Sequence, residues 1–183
     1  MHRGSLLVAA PQLTDPNFHR TVVLVVEHDE NGSVGLVLNR PAATEVSAIL
    51  PQWGIGGILA DPPVVFVGGP VAPDVAIGLA RLLGAAPPGA DAGLVGEHDL
   101  VDLAAGPDEQ QRSVRQLRVF VGYAGWGPGQ LQAECRSGAW FVVPAQAGDL
   151  LSPEPQELWR RVLRRQPGRL AMLASFPADP AVN

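Results

Sequence analysis

The run Thr21-Val22-Val23-Leu24-Val25-Val26 is β-branched or apolar at every position. A strand with no polar face predicts a central position covered on both sides. Ser5 to Ala9 is a shorter apolar run closed by Pro11, and predicts another strand. Between them, Leu13-Thr14-Asp15-Pro16-Asn17 carries turn chemistry, Asp before Pro and then Asn. Asn31-Gly32 predicts a hairpin, since both residues accept positive φ, and Val34 to Leu38 is the returning strand. Thr44 to Leu50 predicts a short helix with Thr44 as N-cap and Pro51 as its stop. Trp53 to Pro63 is a Gly-rich connection, and Val64 to Val67 a strand running into Gly68-Gly69-Pro70.

The second half is less sharply patterned. Val75 to Leu83 suits strand or helix, and Ala85 to Gly93 reads as a loop tip. Gly93 to Gly96 predicts a short strand, Leu100 to Ala105 a helical turn, and Asp108 to Arg115 is the most polar stretch. Leu117 to Tyr123 predicts a strand, and Pro128 opens a helix at its first position that reaches about Arg136. Trp140 to Val143 predicts a strand ended by Pro144. Ser152-Pro153-Glu154 starts a last helix, with Ser as cap, ending near Gln166 before Pro167-Gly168. No long linker or repeat interrupts residues 1–183, which predicts one α+β domain.

Composition narrows the chemistry. The 183 residues are 46% hydrophobic and 17% charged, enough apolar content for a packed core despite 21 Gly and 18 Pro. All 13 basic residues are Arg, and Lys is absent. That excludes a Walker A lysine, a Schiff-base lysine and a lysine general base. The net charge of −5 opposes long-range attraction to nucleic acid or anionic membrane. A lone Cys135 forms no internal disulfide and no thiolate metal cluster. The apolar run Leu6 to Ala10 ends at Pro11, too short for a secretory signal, and Val22 to Val26 is too short for a membrane span. A cytoplasmic protein with no cofactor and no membrane contact is expected.

Three constellations could carry function. Glu27-His28-Asp29 and Glu97-His98-Asp99 repeat one tripeptide, so His28 and His98 with their acidic neighbours are candidate metal ligands if the two loops meet. On a strand, consecutive residues face opposite ways, so each triplet presents either its His or its acids to one point; solvated strand ends are the plainer reading. Gly68-Gly69 follows a strand, and Gly125-Trp126-Gly127-Pro128-Gly129 runs from a strand into a helix, where backbone N–H groups suit an anion. Trp126, Gln130 and Glu134 fall at i, i+4 and i+8; they share a face if the helix extends through Trp126, whereas only Gln130 and Glu134 do if Pro128 is its first residue. Arg20 or Arg40 would add charge. Against this, the glycines equally permit a tight turn under a packed Trp126. Third, Arg112, Arg115 and Arg118 recur every three residues. Arg160, Arg161, Arg164 and Arg165 interleave with Leu158, Trp159, Val162 and Leu163, an amphipathic helix whose basic face suits solvent, a protein partner or, less readily, DNA. Asn31-Gly32-Ser33-Val34-Gly35 lacks the first glycine of a nucleophile elbow, and the hairpin explains it better.

Four blocks also resemble a known family. Leu7-Val8-Ala9-Ala10-Pro11 with Asp15-Pro16-Asn17-Phe18-x-Arg20-Thr21-Val22-Val23, and Glu27-His28-Asp29 with Gly35-Leu36-Val37-Leu38-Asn39-Arg40-Pro41, make the first two. Phe66-Val67-Gly68-Gly69-Pro70-Val71 and Gly122-Tyr123-Ala124-Gly125-Trp126-Gly127-Pro128-Gly129-Gln130-Leu131 make the others. In this order they resemble the AlgH/YqgE family over most of the chain. Gln132, where the family pattern has an acid, and Arg81 to Gly93 depart from it. The resemblance implies a mostly antiparallel or mixed sheet partly closed around helices in a bacterial cytoplasmic protein. It implies no particular reaction, though some members carry a transcriptional-regulator label. The expectation is a non-enzymatic binding or regulatory module acting on a protein partner or small anion; an enzyme or small-anion binder at the Gly125–Gln130 turn and a metal site are the alternatives.

Overall fold

The computed structural model describes residues 1–54, 56–84, 93–110 and 113–177. Of the loop tip expected at Ala85 to Gly93, residues 85–92 lie outside these, as does Arg112. Nine strands form: β1 Ser5–Ala9, β2 Val22–Asp29, β3 Gly32–Val37, β4 Pro41–Glu45, β5 Val64–Val67, β6 Val71–Leu82, β7 His98–Val101, β8 Val114–Trp126 and β9 Trp140–Pro144. Five short helices accompany them: α1 Val46–Ile49, α2 Gln130–Arg136, α3 Ala147–Leu150, α4 Leu158–Arg164 and α5 Arg169–Leu173. The strand order is β4-β5-β8-β3-β2-β1-β9, with β6 pairing both β8 and β7. All pairings are antiparallel except β5 with β8, so the sheet is mixed and the α+β class holds.

β8 organises the molecule. Its first part pairs with β5 (Phe66 opposite Phe120) and with β6 (Ile77 opposite Phe120), while its last residues pair with β3 (Gly35 opposite Ala124, Ser33 opposite Trp126). The change of partner falls at Gly122, whose φ of +68° a side chain tolerates poorly. The backbone of Gly68-Gly69 presses against this point. A Cβ on Gly69 would lie 2.2 Å from the Tyr123 carbonyl carbon, and one on Gly68 2.3 Å from the Gly122 oxygen. Backbone meets backbone here, so two chain segments cross with no side chain between them.

β2 is central and buried on both faces, as its unbroken apolar run predicts. Leu24 and Val22 join Leu6, Leu36, Phe66 and Phe120 beneath α4, which contributes Leu158, Trp159, Val162 and Leu163. Val23 and Val25 face the other way, with Leu7, Val37, Trp126 and Trp140 beneath Leu131 of α2. A third cluster gathers Leu117, Val119, Ala80 and Val65 under Trp53 of the Pro51–Trp53 turn, where the Trp53 indole N–H donates to the Leu103 carbonyl at 3.1 Å.

Several local expectations are corrected. Thr44 lies in β4, and α1 is four residues long with Glu45 at its N-cap. The β2–β3 hairpin turns on Glu30-Asn31, not Asn31-Gly32: Gly32 already pairs with Asp29, and Asp29 accepts N–H bonds from Asn31 and Gly32. Leu100 belongs to β7, so no helical turn forms there, and Gly93 to Gly96 supplies only an isolated bridge at Val95. Of Val75 to Leu83, all but Leu83 lies in strand β6. α2 begins at Gln130 behind Gly129, leaving Pro128 outside the helix. Ser152 caps the backbone N–H of Glu154, but a separate turn at Pro155–Glu157 precedes α4, and α3 and α5 add helices the pattern did not predict.

Candidate functional site

Trp126, Gln130 and Glu134 come together although Trp126 is the last residue of a strand. Glu134 Oε2 accepts both the Trp126 indole N–H (3.0 Å) and the Trp140 indole N–H (2.8 Å). Its Oε1 accepts the Gln130 amide (2.9 Å), whose own oxygen takes the Gly127 N–H (3.1 Å). Phe18 stacks on Trp126 and meets Trp140 edge-on, with centroids 6.0 and 5.4 Å away. One carboxylate thus satisfies two indoles, and one backbone donor of the glycine turn is already bonded. The Glu134 charge behind this turn opposes a second negative group.

The glycine and arginine candidates separate into different places. Gly68 is buried at the crossing of Gly122. Gly69 and Arg40 line a groove of about 220 Å³ with Pro16, Asn17, Pro41 and Val67. Arg40 Nη2 donates to the His19 carbonyl at 2.7 Å, so its guanidinium is anchored to the loop before β2. Gly125 and Trp126 line a second groove, about 410 Å³, with Glu27, Asp29, Val71 and Tyr123. The segment Val67 to Val71 passes from one groove to the other, and its end residues Val67 and Val71 are exposed. The two grooves together present Arg40 in the first, the exposed Val67 and Val71 at the ends of the joining segment, and the acids Glu27 and Asp29 in the second. Arg40, Gly69, Gly125 and Trp126 are binding candidates from the sequence and Glu27 an acidic neighbour of the candidate ligand His28, whereas Asn17, Val71 and Tyr123 are not among the candidates. They lie inside or beside the same sequence blocks, and only strand pairing brings those blocks together.

Arg20 points elsewhere. Its φ is +53°, uncommon for a side chain of this size, and Asn39 holds it there: the Asn39 amide donates to the Arg20 carbonyl and its oxygen accepts the Val22 N–H, both at 2.9 Å. The guanidinium lies 4.5 Å over the Trp159 ring and donates through Nη2 to the Phe176 and Pro177 carbonyls.

The two tripeptides sit in different parts of the sheet. His28 Nδ1 hydrogen-bonds Ser33 Oγ across the hairpin at 2.7 Å. His98 on β7 is buried and donates Nδ1–H to the Val95 carbonyl at 3.2 Å; burial pushes its pKa below the usual imidazole value. Glu97 pairs with Arg81 and Asp99 with Arg3. Among the described residues, no three His, Cys, Asp or Glu groups are placed to hold a metal ion.

The basic helix is less free than its pattern suggests. Arg165 grips buried Asp149 with two bonds of 2.6 Å and donates to the Pro144 carbonyl. Arg161 donates to Gly148 and Arg160 pairs with Glu157, leaving Arg164 exposed. Arg118, grouped in the pattern with Arg112 and Arg115, is not a surface cation. It is buried over the Phe66 ring, donates to the Asp61 and Ser152 carbonyls, and leaves Nε and Nη1 without a partner. Burial lowers its pKa to about 10, partly offset by Asp61, so it stays charged at neutral pH.

A nine-stranded mixed sheet whose two parts share one long strand defines an α+β class with solved examples. A crystal structure of a Corynebacterium diphtheriae protein superimposes with a TM-score of 0.85 at 32% identity, over 96% of this chain and 93% of that one. The solution structure of the AlgH protein from Pseudomonas aeruginosa matches at 0.65 and 28%, over 96% and 94%. A Streptomyces avermitilis relative described as a UPF0301 protein is 52% identical over 98% of this chain and 94% of its own length. Residues 6–171 match the AlgH-like family model, DUF179, and the chain belongs to that family. No helix of the described residues is long and apolar enough to cross a membrane.

Proposed function

We propose that this protein is a non-enzymatic binding module of the cytoplasm, and that it takes a polypeptide segment across the face between its two grooves. The observation that carries this reading is the meeting of the sequence blocks there. Asn17, Arg40, Val67 and Gly69 line one groove and Val71, Tyr123 and Gly125 the other, drawn from more than a hundred residues of chain and joined by the segment from Val67 to Val71. Exposed valines flanked by opposite charges suit a segment with an apolar centre, an acid toward Arg40 and a base toward Glu27 and Asp29. Two groups that could drive chemistry already have partners: Glu134 accepts from two indoles and His28 bonds Ser33.

Selection from a displayed peptide library, followed by fluorescence anisotropy, tests this. Peptides should share an acid–apolar–base order, and Val71→Asp and Arg40→Gln should each weaken binding about tenfold, roughly 1.4 kcal/mol. Arg136→Gln, on the exposed side of α2, should change nothing. Failure to enrich any peptide, or binding indifferent to both groove variants, overturns the reading.

A further inference from the structure

We propose that Arg20, stacked on the Trp159 indole, and Arg160, the next residue of α4, form a receiving site for a phosphate or carboxylate oxyanion, which the Phe176 and Pro177 carbonyls fill in the free protein. Several observations converge. Arg20 is held in a left-handed backbone conformation by two Asn39 bonds, and that conformation lays its guanidinium over the Trp159 face. A guanidinium stacked by its face keeps its N–H edge free to bind acceptors. Arg160 follows Trp159 on α4, and among the described residues Arg20 pairs with no carboxylate. Burial and, behind it, the Arg160 charge hold the Arg20 pKa below its ordinary value. Arg160 has its own partner in Glu157, at 3.4 Å and largely exposed, which offsets little of the repulsion.

The acceptors actually present are neutral. Arg20 Nη2 donates to two main-chain carbonyls that follow α5. An ionised oxygen in their place forms bonds about twice as strong and cancels the repulsion between the two arginines. The carbonyls are therefore weak occupants, and an oxyanion would displace them and release the segment after α5. The site lies on the α4 side of the sheet, since Trp159 packs with the α4 cluster and Trp126 with the α2 cluster. Neither Arg20 nor Trp159 lines either groove of the peptide-binding face proposed above.

The test is a titration of the full chain followed by amide NMR, with pyrophosphate and citrate as separate probes. Saturable shifts are expected at Arg160, Ser175 and Phe176, with affinity falling as salt rises. A stronger response to pyrophosphate assigns the site to phosphate, and a stronger response to citrate assigns it to carboxylate. Arg20→Asn removes the guanidinium but tolerates the left-handed backbone, so the loop should stay folded; it and Arg160→Gln should each weaken binding at least tenfold. Arg136→Gln should bind as the parent does. No saturable shift with either probe, or binding by either arginine variant as tight as the parent's, overturns the proposal. Binding that leaves Phe176 unshifted overturns the displacement.

Discussion

Glu134 illustrates what one residue's spacing can and cannot convey. Its distance from Trp126 and Gln130 places the three together, and they do meet. The spacing says nothing about Trp140, reached only because β9 returns beside α2, and that second indole makes the carboxylate a structural acceptor. Removing it in Glu134→Ala orphans two indole donors. The expected cost is about 2–4 kcal/mol, read by urea unfolding followed through tryptophan fluorescence. Glu134→Gln keeps one acceptor and should lose about half as much. Arg118 was legible by a different route. Leu117, Val119 and Phe120 flank it in a strand apolar on both faces, a signal that could have placed it inside. Counting arginines every three residues imposed a helical rhythm on a strand.

At the scale of elements, the long or unbroken apolar runs were legible, because burial on both faces leaves a signal independent of neighbours. β2, β5 and β9 appear where the pattern places them. Helices of four or five residues, such as α1, α3 and α5, are too short to display a 3.6-residue period. They exist through tertiary contacts: α3 is closed by the reciprocal Gln146 and Asp149 bonds and fixed by Arg165. Glycine substitutions separate structural crossings from ordinary positions. Gly69→Ala drives a Cβ into the Tyr123 backbone and should cost about 3 kcal/mol or more. Gly148→Ala, inside α3 with nothing within 4 Å of the added carbon, should stabilise by about 0.5–1 kcal/mol. Thermal melts of the two variants should move in opposite directions.

At the scale of the molecule, the α+β class was legible from the mixture of apolar strands and capped helices. The strand order was not, because no local pattern states which strands pair at a distance. The candidate site was legible in fragments: the blocks were visible, and their common face required the pairing of β3, β5, β6 and β8. Global stability should also carry a pH signature from His98. Burial depresses its folded-state pKa below the 6.5 of the free side chain. Above that value both states are neutral at this group. As pH falls below it, the unfolded chain takes up a proton that the folded one resists, so stability is lost toward the folded pKa. Denaturation midpoints measured from pH 7.5 to pH 5 should fall, and His98→Gln should remove part of that slope.

The sharing of β8 has a consequence for any division of the chain. Cut between β6 and β7, the amino-terminal piece keeps β1 to β6, with the Gly68-Gly69 ridge but no Gly122 to press against. The carboxy-terminal piece keeps β8, whose flanking partners β3, β5 and β6 are all on the other fragment. Neither piece owns a complete sheet. The two halves are therefore expected to complete each other's sheet only when rejoined, and their reassembly would report proximity between whatever they were each attached to.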